Sequence, residues 1–208
     1  MHEAFGVIAM FWNRIAGLYD CFEKLYNKRV YTNTGKVVAQ SIRKTDDVLE
    51  CACGTGAISV WIAGACNTLV ATDYAPNMLR RAKQKCAGFP NLRFEKADIQ
   101  RLRYKSCSFD KVVAGNVIHL LKEPQRAMAE LERVTKPGGQ IIIPTYINKT
   151  KKSNGAAIKL LELLGADFKR QFDLASYKAF FAGLGYQDVA YQVVDGRMPC
   201  AIAIINKA

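Results

Sequence analysis

Residues 48–57 read Val48-Leu49-Glu50-Cys51-Ala52-Cys53-Gly54-Thr55-Gly56-Ala57. The apolar run predicts a buried strand, the small residues predict a tight turn, and a helix is expected directly afterwards. Small side chains at Ala52, Gly54 and Gly56 leave main-chain N–H groups accessible to a ligand. Glu50 stands at the carboxyl end of the strand, where open α/β sheets bind ligands. A carboxylate there suits a cationic or hydroxyl-bearing ligand and would repel a pyrophosphate.

This stretch resembles the first signature of the class I S-adenosylmethionine-dependent methyltransferases, in particular the ubiquinone/menaquinone-biosynthesis-like (methyltransferase type 11) branch. The family pattern is acid-x-Gly-x-Gly-x-Gly, and Ala52 replaces its first glycine. The resemblance implies that Glu50, Ala52, Gly54 and Gly56 hold the methionine part of the cofactor, S-adenosyl-L-methionine. A lone glycine-rich turn also occurs in ordinary doubly wound sheets, so the sequence downstream has to decide between the two interpretations.

A second acidic residue follows the next predicted strand, which ends at Asp73. Asp73 lies about twenty residues past the loop, where such folds place a carboxylate against ribose hydroxyls. The alternative is a helix N-cap, since Pro76 suits a first helical position. Residues 73–79 resemble the family pattern Asp-x-Ser-x-x-Met-Leu, with Ala75 in place of Ser. The resemblance implies that Asp73 binds the ribose and that Tyr74 and Met78 are further cofactor contacts.

Two later segments extend the resemblance. Asp98 and Ile99 follow the predicted third strand, where the family binds adenine, and the alternative for Asp98 is a solvated turn. The resemblance implies that Asp98 accepts a hydrogen bond from the exocyclic amine and that Ile99 packs on the ring. After the predicted fourth strand, Asn116 and Val117 are implied to line the methionine and the methyl group. A turn over residues 136–139 matches the family's x-Pro-Gly-Gly pattern before the fifth strand.

The beginning of the chain is predicted to be helical. Apolar residues recur at spacings of three and four through residues 1–30. Residues 11–20 resemble the stretch that covers the cofactor in the same branch, and Tyr19 is by that resemblance a cofactor contact. Such a segment would act as a lid that excludes water from the sulfonium.

The expected organisation is one methyltransferase domain over residues 1–208. It comprises a helical cap (1–44), a cofactor-binding core (45–146), and a substrate wall with closing strands (147–208). Two predicted strands after residue 188 match the antiparallel ending usual in the family. The predicted fold is α/β, a Rossmann-like doubly wound sheet of seven mostly parallel strands, with an antiparallel last strand and a helical N-terminal cap.

Composition limits the class of protein. Half of the residues are hydrophobic and 23% are charged, as in soluble globular domains, and no apolar run approaches the ~20 residues that span a bilayer. Because the first residues lack the features of a secretory signal peptide, a cytoplasmic location is expected. The net charge of +12 is spread along the chain, which favours a solvated basic surface. Nucleic acid is not expected, because the Asn/Asp-Pro-Pro-aromatic segment of base-methylating enzymes is absent. An anionic substrate or a membrane surface stays open as a partner.

Seven scattered cysteines lack the repeated Cys-x-x-Cys spacing of a zinc site. Free thiols in a reducing compartment fit this pattern better than disulfides. No metal is therefore expected.

The predicted reaction is direct methyl displacement onto a small aromatic, quinone-like or lipid-like acceptor, with the protein aligning and desolvating the reactants. His119 is the candidate base or substrate contact, and Tyr146 is a weaker candidate. Two alternatives stay open. One is an NAD(P)-dependent oxidoreductase, because Ala52-x-Gly54-x-x-Ala57 is a loose dinucleotide pattern. The other is a non-catalytic protein that binds RNA or a membrane through its basic surface.

Overall fold

The structure is a computed structural model that describes residues 27–149 and 169–208, together with Asn13 and Gly17. The helices predicted within residues 1–26 and 156–164 lie outside this described part. So does the cofactor contact predicted at Tyr19.

Seven strands form one sheet in the order β3-β2-β1-β4-β5-β7-β6. Strands β3, β2, β1, β4 and β5 pair in parallel, whereas β7 runs antiparallel to both β5 and β6. The predicted doubly wound sheet with an antiparallel last strand is therefore confirmed. The strands are β1 (Asp47–Cys51), β2 (Thr68–Asp73), β3 (Leu92–Lys96), β4 (Phe109–Ala114), β5 (Thr135–Tyr146), β6 (Val189–Val194) and β7 (Cys200–Asn206).

Five α-helices and one 3₁₀ turn accompany the sheet in the described part. Helices α3 and α4 each begin with a proline, which fits the first helical position because that N–H has no partner within the helix. Helix α5 begins with a capping box, in which the Asp173 carboxylate accepts from the N–H of Ser176. The elements are α1 (Lys28–Gln40), α2 (Ser59–Ala63), α3 (Pro76–Lys85), the 3₁₀ turn (Ile118–Leu120), α4 (Pro124–Val134) and α5 (Leu174–Gly183).

Both faces of the central strands β1 and β4 are buried, as is usual for parallel strands covered by helices. Leu49 of β1 packs in one apolar cluster with Leu131 of α4. Val48, the preceding residue, points to the other face and packs in a second cluster with Val38 of α1 and Ile62 of α2. Successive β1 residues therefore anchor helices on opposite sides, and the glycine-rich loop leaves the sheet between them.

Two element boundaries differ from the sequence expectation. The first concerns α1: the run Thr32-Asn33-Thr34 consists of residue types that cap helices and predicts a helix start there, but α1 begins at Lys28. The preceding Asn27 is buried and donates through Nδ2 to the Met198 carbonyl at 2.8 Å. The second concerns residues 136–139, which lie within β5 and do not form a separate turn. The strand pairing shifts register there, and Gly138 takes a positive φ of 72°, as at a bulge.

Strands β1 and β4 are neighbours at the centre of the sheet, with the chain leaving β1 towards β2 on one side and β4 pairing with β5 on the other. Such a reversal of strand order opens a crevice at the carboxyl edge of the sheet. In the described part of the chain, no helix has the length and apolar character needed to cross a bilayer.

Candidate functional site

A pocket lies at this crevice, between the ends of β1, β4 and β5 and helix α1. It has a volume of about 500 Å³, including open solvent at its mouth. Of the residues predicted to bind the cofactor, Glu50, Ala52, Gly54 and Asn116 line it. The full lining consists of Tyr31, Thr34, Glu50, Ala52, Cys53, Gly54, Thr55, Ala57, Ile58, Gly115, Asn116 and Tyr146.

The loop after β1 has an unusual backbone. Ala52, Gly54 and Gly56 all have positive φ, at 52°, 55° and 81°. This conformation is strained for alanine, which tolerates left-handed geometry poorly. Among the described residues, a Cβ placed on Gly54 would meet no heavy atom within 4 Å. The main chain is therefore accessible to a ligand, as the small residues predicted.

Gly56 has a different role from Gly54. A Cβ there would lie 3.1 Å from Cys86 Sγ and 3.2 Å from Ala82 Cα. Gly56 is buried, and its missing side chain lets the loop pack against the end of α3. Within the described residues it is not part of the pocket lining.

Glu50 is the acidic group of the pocket. Its side chain is buried, with 2% of the residue exposed, and Ser59 Oγ donates to Glu50 Oε2 at 2.5 Å. Burial raises the pKa of Glu50 to about 8, while the Ser59 hydrogen bond opposes the shift and the Asp73 carboxylate adds to it. Glu50 is therefore mostly protonated at pH 7 without a ligand, and a bound cation would favour its ionised form.

Asp73 connects the loop to the next helix. Its Oδ2 accepts from the Gly54 N–H and its Oδ1 from the Ala75 N–H, each at 2.8 Å. Burial raises the pKa of Asp73, and the backbone N–H groups oppose this rise. Asp73 thus supports both the glycine loop and the start of α3. A carboxylate has about four lone-pair sites, so these two bonds leave capacity for ligand hydroxyls.

Four other predicted contacts, Tyr74, Met78, Ile99 and Val117, are not among the described residues that line the pocket. Tyr74 is partly buried, with the Lys96 ammonium 5.0 Å from its ring centroid. Met78, Ile99 and Val117 are core residues, each at most 8% exposed. Packing inside the protein explains these three apolar side chains without a ligand.

Asp98 is partly buried and follows β3. Its Oδ1 accepts from the Gln100 N–H at 2.9 Å. The carboxylate thus takes part in a local turn, which was the alternative interpretation of this residue. The other oxygen leaves acceptor capacity for a ligand amine.

His119 lies in the 3₁₀ turn and is partly buried. Burial lowers its pKa to about 4, so the imidazole is neutral at pH 7. Within the described part of the chain, it does not belong to the pocket lining. Tyr146, the weaker candidate, does line the pocket, and its N–H donates to Asn116 Oδ1 at 2.9 Å.

Several polar residues of the site were missed at the level of sequence. Tyr31 and Thr34 line the pocket from α1, and their spacing of three, which places residues on one helical face, was the available signal. Thr55 was treated only as a loop residue. Lys85 of α3 donates to Tyr31 Oη at 2.9 Å and to Thr55 Oγ1 at 3.0 Å. These contacts join segments far apart in the chain.

The described residues contain no cluster of three or more His, Cys, Asp or Glu side chains suited to a metal ion. Burial raises the pKa of the Cys51 thiol to about 12 and also raises that of Cys53. Both thiols are therefore protonated at neutral pH, and neither is activated as a nucleophile.

Comparison with known proteins identifies similar sequences and folds. A family model described as a methyltransferase domain matches residues 49–143. A demethylmenaquinone methyltransferase from Renibacterium salmoninarum is 29% identical over 172 residues, which cover 72% of this chain and 70% of that protein. An uncharacterized chloroplastic methyltransferase from Arabidopsis thaliana is 36% identical over 109 residues, and the match spans only 31% of that protein.

The fold recurs in solved structures. The crystal structure of an S-adenosylmethionine-dependent methyltransferase from Thermotoga maritima superposes with a TM-score of 0.75 at 16% identity. The match covers 96% of this chain and 99% of that one.

Proposed function

Since this chain belongs to the class I S-adenosylmethionine-dependent methyltransferases, in their menaquinone-like branch, we propose that it methylates a small aromatic or quinone-like acceptor. S-adenosyl-L-methionine is the methyl donor. The acceptor class follows the name of the relative from Renibacterium salmoninarum, which acts on demethylmenaquinone. We further propose that residues 1–208 act as one domain, with Tyr19 in the cap over the donor.

The observation that carries this proposal is the buried Glu50 carboxylate at the glycine loop. Burial holds the pKa of Glu50 near 8, so the group gains most from a ligand that brings a positive charge. The α-ammonium of the donor's methionine part is such a charge. A dinucleotide would instead bring a pyrophosphate, which a carboxylate at this position disfavours. The site therefore supports methyl transfer over the oxidoreductase alternative.

The other predicted contacts extend the site along the carboxyl edge of the sheet. Asp73, at the end of β2, is proposed to accept from the ribose hydroxyls while it holds the Gly54 N–H. Asp98 is proposed to accept from the adenine amine, with Tyr74, Met78 and Ile99 on the apolar side. The order of the strand ends β1, β2 and β3 in the sheet matches the order of the methionine, ribose and adenine parts.

When bound, the donor supplies an electrophilic methyl group that an acceptor lone pair or carbanion displaces from sulfur. The chain contributes alignment and exclusion of water. Asn116 is held in the left-handed region, with φ of 51°, by bonds to β5, so the adjacent backbone is fixed at the pocket wall. His119 is proposed as a contact of the acceptor and not as its base, because an imidazole with a pKa of about 4 takes up a proton only weakly at pH 7.

We also propose that the acceptor carries an anionic group. Lys149, three residues beyond β5, lies 3.0 Å from Asp195 at the end of β6. The hydrogen bond from Lys149 lowers the pKa of Asp195, and the Arg29 guanidinium adds to this effect. Two cations thus lie near one exposed carboxylate, and the excess positive charge would attract an anion or an anionic membrane surface.

The test is calorimetric titration of the purified chain with S-adenosylhomocysteine, NAD and NADP. Micromolar binding of S-adenosylhomocysteine alone is expected. Transfer of labelled methyl to 1,4-naphthoquinol, the reduced ring without a side chain, then tests the acceptor class. Binding without transfer would reject the quinone-like acceptor and keep the enzyme class. A folded chain that binds NAD and not S-adenosylhomocysteine would overturn the proposal.

A further inference from the structure

Helix α3 begins without a side-chain cap from its own segment. Ala75 occupies the N-cap position in an extended conformation, and its methyl group cannot accept a hydrogen bond. Pro76 has no N–H, and the Met78 N–H donates to the Ala75 carbonyl at 3.1 Å. The Asn77 N–H is therefore the donor of this first turn that needs an acceptor from another part of the chain.

Asn13 supplies that acceptor from 64 positions earlier in the sequence. Its Oδ1 accepts from the Asn77 N–H at 2.9 Å, and its carbonyl accepts from Asn77 Nδ2 at 3.1 Å. The two residues are thus joined through both the main chain and the side chain of each. Both are partly buried, so water competes less for these bonds than at an open surface.

A second contact lies four residues further along both segments. A Cβ placed on Gly17 would lie 2.9 Å from Arg81 Nη2, so the Arg81 guanidinium lies against the Gly17 backbone. Four residues make about one helical turn, and the contacts of Asn13 and Gly17 therefore fall on successive turns of α3. The pairing of Asn13 with Asn77 is not an isolated contact.

The turn that Asn13 caps is continuous with the carboxylate proposed to bind the ribose. Asp73 accepts from the Ala75 N–H and from the Gly54 N–H, each at 2.8 Å. Asn13 bonds to the helix two residues after Ala75. Hydrogen bonds and a short stretch of backbone thus connect Asn13 with the start of α3, with the Asp73 carboxylate and with the glycine loop.

We propose that Asn13 is a positioning residue for donor binding, which caps α3 from a distant part of the chain and so fixes the turn that carries Asp73. Asn13 itself contacts α3 and not the donor. The inference rests on the proposed function, because it takes the ribose of S-adenosylmethionine as the ligand of Asp73. By linkage, a ligand bound at Asp73 strengthens the contact between Asn13 and Asn77 by the same factor by which the contact strengthens binding.

The experiment measures two quantities in the full chain. Calorimetry gives the affinity for S-adenosylhomocysteine, and hydrogen exchange followed by NMR gives the protection of the Asn77 amide. A helix cap shifts an equilibrium by about two- to thirtyfold. Asn13→Ala should lower the affinity within this range and speed the exchange of the Asn77 amide. Asn13→Asp keeps an oxygen acceptor, and its charge suits a helix N-terminus, so both quantities should stay close to those of the wild type.

A substitution on the other side of the contact tests the mechanism. Serine at the N-cap position brings its own acceptor to the first turn of the helix. Ala75→Ser in the Asn13→Ala background should therefore restore most of the lost affinity. A loss caused by general disturbance around Asn13 would not be repaired by a hydroxyl group at Ala75. In the wild type, S-adenosylhomocysteine should also slow the exchange of the Asn77 amide, and Asn13→Ala should reduce this slowing.

The outcomes separate the two proposals. Wild-type affinity in Asn13→Ala would reject the positioning role. Equal losses in Asn13→Ala and Asn13→Asp, or a failure of Ala75→Ser to restore binding, would also reject it. If the wild type does not bind S-adenosylhomocysteine, the proposed function fails, and the exchange of the Asn77 amide in Asn13→Ala still decides whether Asn13 caps α3.

Discussion

The Ser59 hydroxyl donates to Glu50 Oε2 across 2.5 Å and ties the first turn of α2 to the end of β1. Ser59 is fully buried and Glu50 is 2% exposed, so solvent cannot replace this bond. The bond orients the carboxylate and stabilises its ionised form. The pKa of Glu50 is therefore raised chiefly by burial and lowered in part by a residue nine positions further along the chain.

Ser59→Ala is expected to move the pH dependence of S-adenosylhomocysteine binding upwards. The hydrogen bond lowers the pKa of Glu50 against the effect of burial, and its removal raises that pKa above about 8. Ionised Glu50 binds the ligand ammonium, so affinity at pH 7 should fall about threefold to thirtyfold. Calorimetry between pH 6 and 9 measures the shift. Ser59→Thr keeps the hydroxyl and should keep the profile, and an unshifted profile in Ser59→Ala would contradict the prediction.

Glu50→Gln is expected to change how stability depends on pH. The pKa of Glu50 is raised in the folded chain from 4.5 to about 8. The folded state thus holds a proton that the unfolded state releases, and stability falls as pH rises from about 4.5 to 8. Glutamine removes this titration. Urea unfolding of both proteins without ligand, at pH 5, 7 and 9, should show the wild type losing stability relative to the variant. Parallel curves would refute the proposed burial of the carboxyl group.

Gly54→Ala and Gly56→Ala form a matched pair. Alanine at Gly54 takes a left-handed conformation at a cost of about 1–2 kcal/mol, but its methyl group meets no atom of the described part of the chain within 4 Å. This variant should stay folded and bind S-adenosylhomocysteine at least tenfold more weakly, because the methyl group stands where a ligand approaches the backbone. Gly56→Ala should lose more stability, since its methyl group would contact Cys86 and Ala82. Thermal unfolding and calorimetry on both variants test this order. Equal melting temperatures would contradict it.

Gly35→Ala is expected to displace α1 from the pocket. A Cβ there would lie 2.1 Å from Trp61 Cδ1, so α1 or Trp61 has to move. Overpacking of this kind costs about 1–3 kcal/mol, and Tyr31 and Thr34 would leave the wall. Both stability and affinity should therefore fall. Gly183→Ala, at the end of α5 where a Cβ meets nothing within 4 Å, is the control and should change neither by much. A Gly35→Ala variant with wild-type affinity would show that the position of α1 does not affect ligand binding.

Most of the fold could be predicted from the sequence because the signals that predict it are local. The apolar run before Glu50 and the small residues after it predict strand, loop and helix without knowledge of neighbours. Asp73 could be recognised by its distance from the loop. Its carboxylate accepts from the Ala75 N–H at the start of the next helix and keeps acceptor capacity for ribose hydroxyls, which explains why one residue fits both interpretations.

The missed features depend on contacts between distant segments. Lys85 meets Tyr31 across 54 positions and Thr55 across 30. The spread of positive charge along the chain predicts only a solvated surface for this lysine. Likewise, α1 begins before the expected cap because Asn27 bonds to the Met198 carbonyl, 171 positions away. No local pattern encodes such pairs.

The loop after β4 is held by a strand that comes later in the chain. The Asn116 N–H donates to the Pro144 carbonyl at 2.8 Å, and Asn116 Oδ1 accepts from the Tyr146 N–H. During synthesis, residues up to Tyr146 must therefore have emerged from the ribosome before this wall of the pocket can form. A newly made chain acquires its ligand only after the central sheet has assembled.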